Sequence, residues 1–253
     1  MNLTPGFSKR GFNVENWGYP PFNRRSFQEV QQLFTTCRLS RGSCSPKFFP
    51  ESVTNLFEEK YTGLGGEPRT VAQMLDETYT DAFLVTKDSE LICEEYRNGM
   101  TAHSHHLLNS VSKSFLGMLV GVFVSEGKLD PNENLVTYVP EFVGSAFEKT
   151  TLQQALDMTA AVKYGENYAD KQAEFWRETA VIGWRPKLVD DNLPKTLFEY
   201  ACSLTESEQL DGEKFHYRTV LTNVIAMAVE RATNQSVSKL LEQKIWQPLG
   251  PEQ

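Results

Sequence analysis

Cysteine is scarce in this chain and poorly spaced for chemistry. Four occur in 253 residues, at Cys37, Cys44, Cys93 and Cys202, with no Cys-x-x-Cys pair and no histidine partner beside them. Separate thiols are expected, not a zinc site or a disulfide framework. Long apolar runs are missing too. The longest, Phe115 to Val124, falls far short of the ~20 residues of a bilayer span. The first residues, Met1-Asn-Leu-Thr-Pro-Gly-Phe-Ser-Lys-Arg10, carry no apolar segment of the secretion-signal type, so the cytoplasm is the expected location. Charge of either sign is dispersed: 25 Lys and Arg stand against 33 Asp and Glu, a net −8 without long runs. No basic patch invites nucleic acid and no polybasic helix invites a membrane surface. A Gly-x-Ser-x-Gly elbow is absent, and three of the four histidines (His103, His105, His106) share one polar run that is expected to be a solvated loop. A Ser-His-Asp hydrolase is therefore not indicated, and no metal or cofactor is implied.

What the chain does have is apolar mass. At 40% hydrophobic and 11% aromatic it can bury one large core or two small ones. It also carries the Ser-x-x-Lys tetrapeptide. With 17 serines and 14 lysines, about one match is expected by chance. Three occur, Ser110/Lys113, Ser125/Lys128 and Ser236/Lys239, and their contexts separate them. Ser125-Glu-Gly-Lys128 straddles a glycine where a helix should end. Ser236 reads as the N-cap of a mixed-polarity helix. Only Ser110 precedes a helix apolar on nearly every side (Phe115, Leu116, Met118, Leu119, Val120, Val122, Phe123, Val124), which predicts burial.

Spacing of three puts Ser110 and Lys113 on one helical face. A serine at a helix N-terminus sits in the positive end of the macrodipole, where an oxyanion is favoured. A desolvated lysine beside it can act as the base that a serine nucleophile needs. The bland alternative is that Ser110 merely caps the helix while Lys113 snorkels to water.

Elsewhere, residues 1–50 are rich in Pro, Arg and aromatics and read as an N-terminal extension, with residues 51–253 as the domain proper. Helices are expected over Ser26–Phe34, Ser52–Tyr61, Thr70–Thr78, Ser110–Glu126, Thr151–Met158, Lys171–Glu178, Thr196–Leu204, Thr222–Ala232 and Ser236–Trp246. Thr80–Thr86 and Leu91–Arg97 alternate and predict a hairpin around Lys87-Asp-Ser-Glu90.

In this order the pieces resemble the serine β-lactamase-related family, in its class C and D-alanyl-D-alanine-peptidase branch. Four stretches carry the likeness: Ser110-Val-Ser-Lys113-Ser-Phe; the connector Glu126-Gly-Lys-Leu-Asp-Pro-Asn-Glu-Asn-Leu-Val-Thr-Tyr-Val-Pro-Glu141; the helix Thr151-Leu-Gln-Gln-Ala-Leu-Asp-Met-Thr159; and the terminator Ile245-Trp-Gln-Pro-Leu-Gly250. Leu107-Leu-x-Ser-Val-Ser-Lys-Ser, the strand at Thr80 and the loop Tyr164-x-Glu-x-Tyr168 are most similar to the family's nylon-oligomer-hydrolysing branch.

The resemblance implies an α/β (α+β) fold of the β-lactamase/transpeptidase type, with an antiparallel sheet flanked by helices and a further helical region. It implies a serine hydrolase that cleaves a small amide or ester through an acyl-enzyme on Ser110, aided by Lys113 and by Tyr217. Tyr217 stands in Phe215-His-Tyr217-Arg-Thr219 at the place of the family's Tyr-x-Asn, with threonine replacing asparagine. That replacement weakens the case for β-lactam recognition, because threonine lacks an amide's paired donor and acceptor. A phenolate is stabilised by a neighbouring ammonium, so such a tyrosine can relay protons. Tyr168 is the implied substrate-binding residue. Thr179 stands where that branch has an acidic residue, so a cationic amino end is not implied for the substrate. No Lys-Thr-Gly follows Tyr217 before Gln253, which implies that the family's last strands lie outside this sequence and leave the sheet incomplete. A catalytically inactive binding or scaffold protein is the competing expectation.

Overall fold

Prolines at 20, 21, 46, 50 and 68 and glycines at 63, 65 and 66 cut the first hundred residues into short pieces. The computed structural model describes residues 11–186 and 193–252. Contacts divide them into two compact units. The first comprises the described residues of Met1–Thr35, Ser45–Leu107 and Pro251–Gln253; the second comprises Thr36–Cys44 and the described residues of Leu108–Gly250.

The first unit opens with α1 (Asn23–Ser26) and a single turn at Val30–Gln32, a broken version of the helix expected there. The helix expected over Ser52–Tyr61 does not form. Residues 50–54 are extended and bond to the chain at Leu91 and Ile92: Ser52 N–H donates to Leu91 C=O and Thr54 N–H to Ile92 C=O, both at 2.9 Å. Pro50 and the β-branched pair Val53-Thr54 favour this extended path over a helix. Next, β1 (Lys60–Thr62) pairs antiparallel with β2 (Pro68–Thr70).

Thr70 then caps α2 (Val71–Glu77) through a reciprocal capping box with Gln73. β3 (Ala82–Lys87) and β4 (Glu90–Tyr96) form the hairpin that the alternation predicts, in register Ala82↔Tyr96 with an irregularity at Val85/Thr86. Asp88 and Ser89 turn it with φ of 52° and 66°, the two positive angles of a type I′ turn. His106 is not free in water. Its Nε2 lies 3.1 Å from Asp81 Oδ2, and its ring meets Phe27 edge-on.

The second unit is helical among its described residues. It holds α3 (Ser112–Ser125), α4 (Leu135–Tyr138), α5 (Leu152–Leu156), α6 (Glu174–Val181), α7 (Leu197–Ser203), α8 (Thr219–Thr233) and α9 (Val237–Leu241). A π turn over Glu242–Trp246 follows, then α10 (Gln247–Leu249). α8 presents Val220, Leu221, Val224, Ile225, Ala228 and Val229 inward, the stripe of a helix packed on one face. It meets Leu116, Leu119, Val120 and Phe123 of α3 in one core with Leu135, Phe142, Phe147, Leu152 and Leu240. Fully burying each such Leu, Val or Phe stabilises the fold by roughly 1.5–3 kcal/mol.

α3 is not buried on all sides, contrary to its composition. Ser114, Met118, Gly121 and Ser125 line an exposed face. These recur at helical spacing, and small residues there raise the apolar average without adding surface that must be hidden. The helix stops at Gly127, whose φ of +68° turns the chain so that Lys128 N–H reaches back to Phe123 C=O at 2.9 Å. That is the Schellman bond, and glycine takes this φ without a Cβ penalty. Among the described residues no helix is long and apolar enough to cross a membrane.

Candidate active site

Ser110 does not lie within α3 but in the 3₁₀ turn Asn109–Val111 that leads into it. Asn109 takes φ +46°, a left-handed angle that asparagine tolerates better than most residues. Ser112 Oγ ties the turn by donating to Asn109 C=O at 2.6 Å. Lys113, in the first turn of α3, reaches back along the helix face, and its Nζ donates to Ser110 Oγ at 3.1 Å.

The third group arrives from far along the chain. Tyr217 sits just before α8, and its hydroxyl donates to Ser110 Oγ at 2.9 Å. Lys113 Nζ lies 5.4 Å from the centre of the Tyr217 ring, over its face. Three of the sequence-expected residues thus converge on one oxygen. With both neighbours protonated, Ser110 Oγ accepts from two donors and its own proton has no acceptor between them. Either a neutral amine or a phenolate would take it.

Tyr168, the fourth, does not touch Ser110. It is exposed, packs edge-on against Phe175 at 5.0 Å, and donates its hydroxyl to Glu166 Oε1 at 2.8 Å. Glu166 is the link to the site. Its carboxylate also accepts from Thr219 N–H and from Thr219 Oγ1, each at 2.6 Å. Thr219 therefore spends both donors on a carboxylate and holds the first turn of α8, two residues past Tyr217. Thr179 is buried, and its hydroxyl donates to Trp176 C=O at 2.9 Å within α6.

Behind this lies Glu178 of α6, which is 1% exposed. It accepts from the Tyr164 hydroxyl and from Asn223 Nδ2. Burial pushes its carboxyl up to about 7, against the pull of those two bonds and of the Lys113 charge. The Tyr164 phenol is driven well above its usual range by burial and by the Glu178 charge beside it. The sequence pattern Tyr164-x-Glu166-x-Tyr168 marks this loop, but it carries no sign of the roles of Glu166, Glu178 or Asn223.

The other two Ser-x-x-Lys matches are structural. Ser236 accepts from Lys239 N–H at 3.4 Å as an N-cap. Ser125 ends α3, and Lys128 Nζ pairs with Glu126 at 2.7 Å.

A serine at the head of a helix, with a lysine one turn on and a tyrosine across from both, defines a Ser-x-x-Lys site. Residues 69–252 match the Beta-lactamase family, and the chain belongs to that family. It is 34% identical over 248 residues to the 6-aminohexanoate-dimer hydrolase of Paenarthrobacter ureafaciens, covering 98% of this chain and 60% of that protein. A protein of Escherichia coli assigned as a D-alanyl-D-alanine carboxypeptidase is 24% identical over 164 residues, covering 64% of this chain and 36% of its own length.

Among solved structures, a Bacillus anthracis protein assigned as a 6-aminohexanoate-dimer hydrolase superposes with a TM-score of 0.87 at 24% identity, over 98% of this chain and 64% of that one. The fold is thus of the mixed α/β, β-lactamase/transpeptidase-like type, present here as helices with small antiparallel sheets. The chain spans about 60% of the length of the hydrolase that it matches over nearly all of its own residues.

Proposed function

We propose that this chain carries the nucleophile of a serine hydrolase that cleaves a small amide or ester through an acyl-enzyme on Ser110. The observation that carries the reading is the convergence of Lys113 Nζ, at 3.1 Å, and Tyr217 OH, at 2.9 Å, on Ser110 Oγ. Ser110 Oγ attacks the carbonyl carbon, and its proton passes to the Lys113 amine or the Tyr217 phenolate. The tetrahedral oxyanion meets the Ser110 backbone N–H at the head of α3, where the helix field favours negative charge. Collapse expels the amine or alcohol, which takes the proton back from the same pair. Water then repeats the sequence on the acyl-enzyme.

Kinship with the 6-aminohexanoate-dimer hydrolase supports a short linear amide as substrate. The exposed Tyr168 ring offers an apolar face to such a chain, and the buried, bonded Thr179 brings no charge for a cationic end.

The test is hydrolysis of short p-nitrophenyl esters. Ser110→Ala should remove several orders of magnitude in rate while far-ultraviolet circular dichroism stays unchanged. Ser125→Ala and Ser236→Ala, which alter only a helix end and a cap, should change it little. Near-normal turnover in Ser110→Ala would sink the assignment.

A further inference from the structure

Arg218 is 0% exposed and is the largest fully buried side chain among the described residues. A guanidinium cannot shed its charge in the interior, so burying it is costly unless it is paired and bonded. Its two Nη atoms bond to three residues, of which His216 lies beside Tyr217 and Ala160 and Glu208 lie elsewhere in the chain. Arg218 Nη1 donates to Ala160 C=O at 3.1 Å and to His216 C=O at 3.2 Å. Nη2 donates to Glu208 Oε1 at 2.5 Å. The same Glu208 oxygen lies 2.5 Å from His216 Nδ1, and His216 N–H donates to Met158 C=O at 2.9 Å. Burial raises the Glu208 carboxyl, but the bonds from His216 and Arg218 outweigh it and hold the group below the usual carboxylate range.

Arg218 has extended backbone, with φ −143° and ψ 115°. In an extended segment neighbours alternate. His216 and Arg218 turn to Glu208, while Tyr217 between them turns the other way, to Ser110. The residues on either side of the phenol are therefore fastened to one carboxylate and to the backbone at Met158 and Ala160.

We infer that Arg218, with Glu208, is a positioning residue that fixes the Tyr217 hydroxyl at Ser110 Oγ. The inference rests on the proton-transfer role proposed above for Tyr217. Arg218's hydrogen bonds go to Ala160, His216 and Glu208 and none goes to Ser110, so its proposed effect runs through the tyrosine. Displacing a reacting group by about 1 Å can cost about a hundredfold in rate, which sets the size of effect to look for.

The experiment measures the second-order rate at which a fluorophosphonate probe modifies Ser110 in the 253-residue chain, read by intact mass. The proteins are the parent, Arg218→Lys, Glu208→Gln, Tyr217→Phe and the doubles with Tyr217→Phe, each with its thermal midpoint recorded. Arg218→Lys should slow labelling about ten- to a hundredfold, since an ammonium cannot span Ala160, His216 and Glu208 together. Glu208→Gln keeps an acceptor and should slow it several-fold, which keeps the test open where Arg218→Lys folds badly.

On the Tyr217→Phe background neither should cost more than about twofold, because the group they position is gone. Full additivity with Tyr217→Phe, or parent rates in both single variants, would overturn the inference. A Tyr217→Phe chain that labels at the parent rate would instead show that the proton-transfer role itself is wrong, and the inference would fall with it.

Discussion

In the reaction proposed above, Ser110 Oγ, Lys113 Nζ and Tyr217 OH act as one proton-transfer unit, and units of that kind lose activity non-additively. Lys113→Met and Tyr217→Phe should each slow ester hydrolysis about as much as Ser110→Ala, and the double variant should be no slower than either. Multiplicative losses would assign one of the two to substrate binding alone. Glu178 makes a separate prediction through its titration. Its carboxyl is raised from 4.5 to about 7 in the folded state, so the folded protein binds the proton more tightly than the unfolded chain. Its contribution to stability is therefore fully present below pH 4.5 and is lost as the pH rises through 7, by on the order of 3 kcal/mol.

Glu178→Gln should thus gain stability relative to the parent between pH 4.5 and 7, measured by urea unfolding at each pH. A difference between the two proteins that does not vary with pH would contradict the burial argument. Ser110 and Lys113 are legible in the sequence because their pairing is local, three residues apart across the turn that leads into α3. Tyr217 lies 107 residues from Ser110. Only family resemblance pointed to it, since no local pattern encodes a contact of that separation. Glu178 and Arg218 were unreadable for the same reason. A charged residue in the sequence gives no sign of being buried until its partners are placed.

At the scale of elements, the helices that begin with a hydroxyl cap were the most legible. Thr70, Thr151, Thr196 and Ser236 each accept from a backbone N–H three residues on, and each helix starts within a residue of the expected place. Thr151 and Gln154 form a full capping box, with bonds of 3.1 and 2.8 Å. Thr151→Ala should destabilise the chain by about 1 kcal/mol in urea unfolding, with the denaturant slope unchanged. No loss would mean that α5 is held by its packed Leu152 and Ala155 alone.

The misread elements fail for physical reasons. Residues 52–61 contain enough helix formers to suggest a helix, but the extended backbone there finds partners on Leu91 and Ile92. In α3 the all-round apolar count hid a one-sided distribution, with large side chains inward and Ser114, Gly121 and Ser125 on the exposed face beside Met118.

At the scale of the whole molecule, burial is unequal between the two units. Among the described residues, the buried apolar ones of the first are Phe12, Trp17, Leu75 and Cys93, whereas the second holds the continuous core around α3 and α8. Amide hydrogen exchange should therefore be faster in β3 and β4 than in α3 and α8, since local opening follows the depth of apolar contact. Equal protection in the two units would contradict this. The Ser-Lys-Tyr group lies wholly in the second unit, which places the proposed chemistry on its best-packed part.

The most direct check of that chemistry is covalent. The chain is exposed to a fluorophosphonate, and its intact mass and peptide map are recorded. A single adduct on Ser110 is predicted, retained in Ser125→Ala and Ser236→Ala and lost in Ser110→Ala. An unmodified chain, or an adduct on any other serine, would contradict Ser110 as the nucleophile.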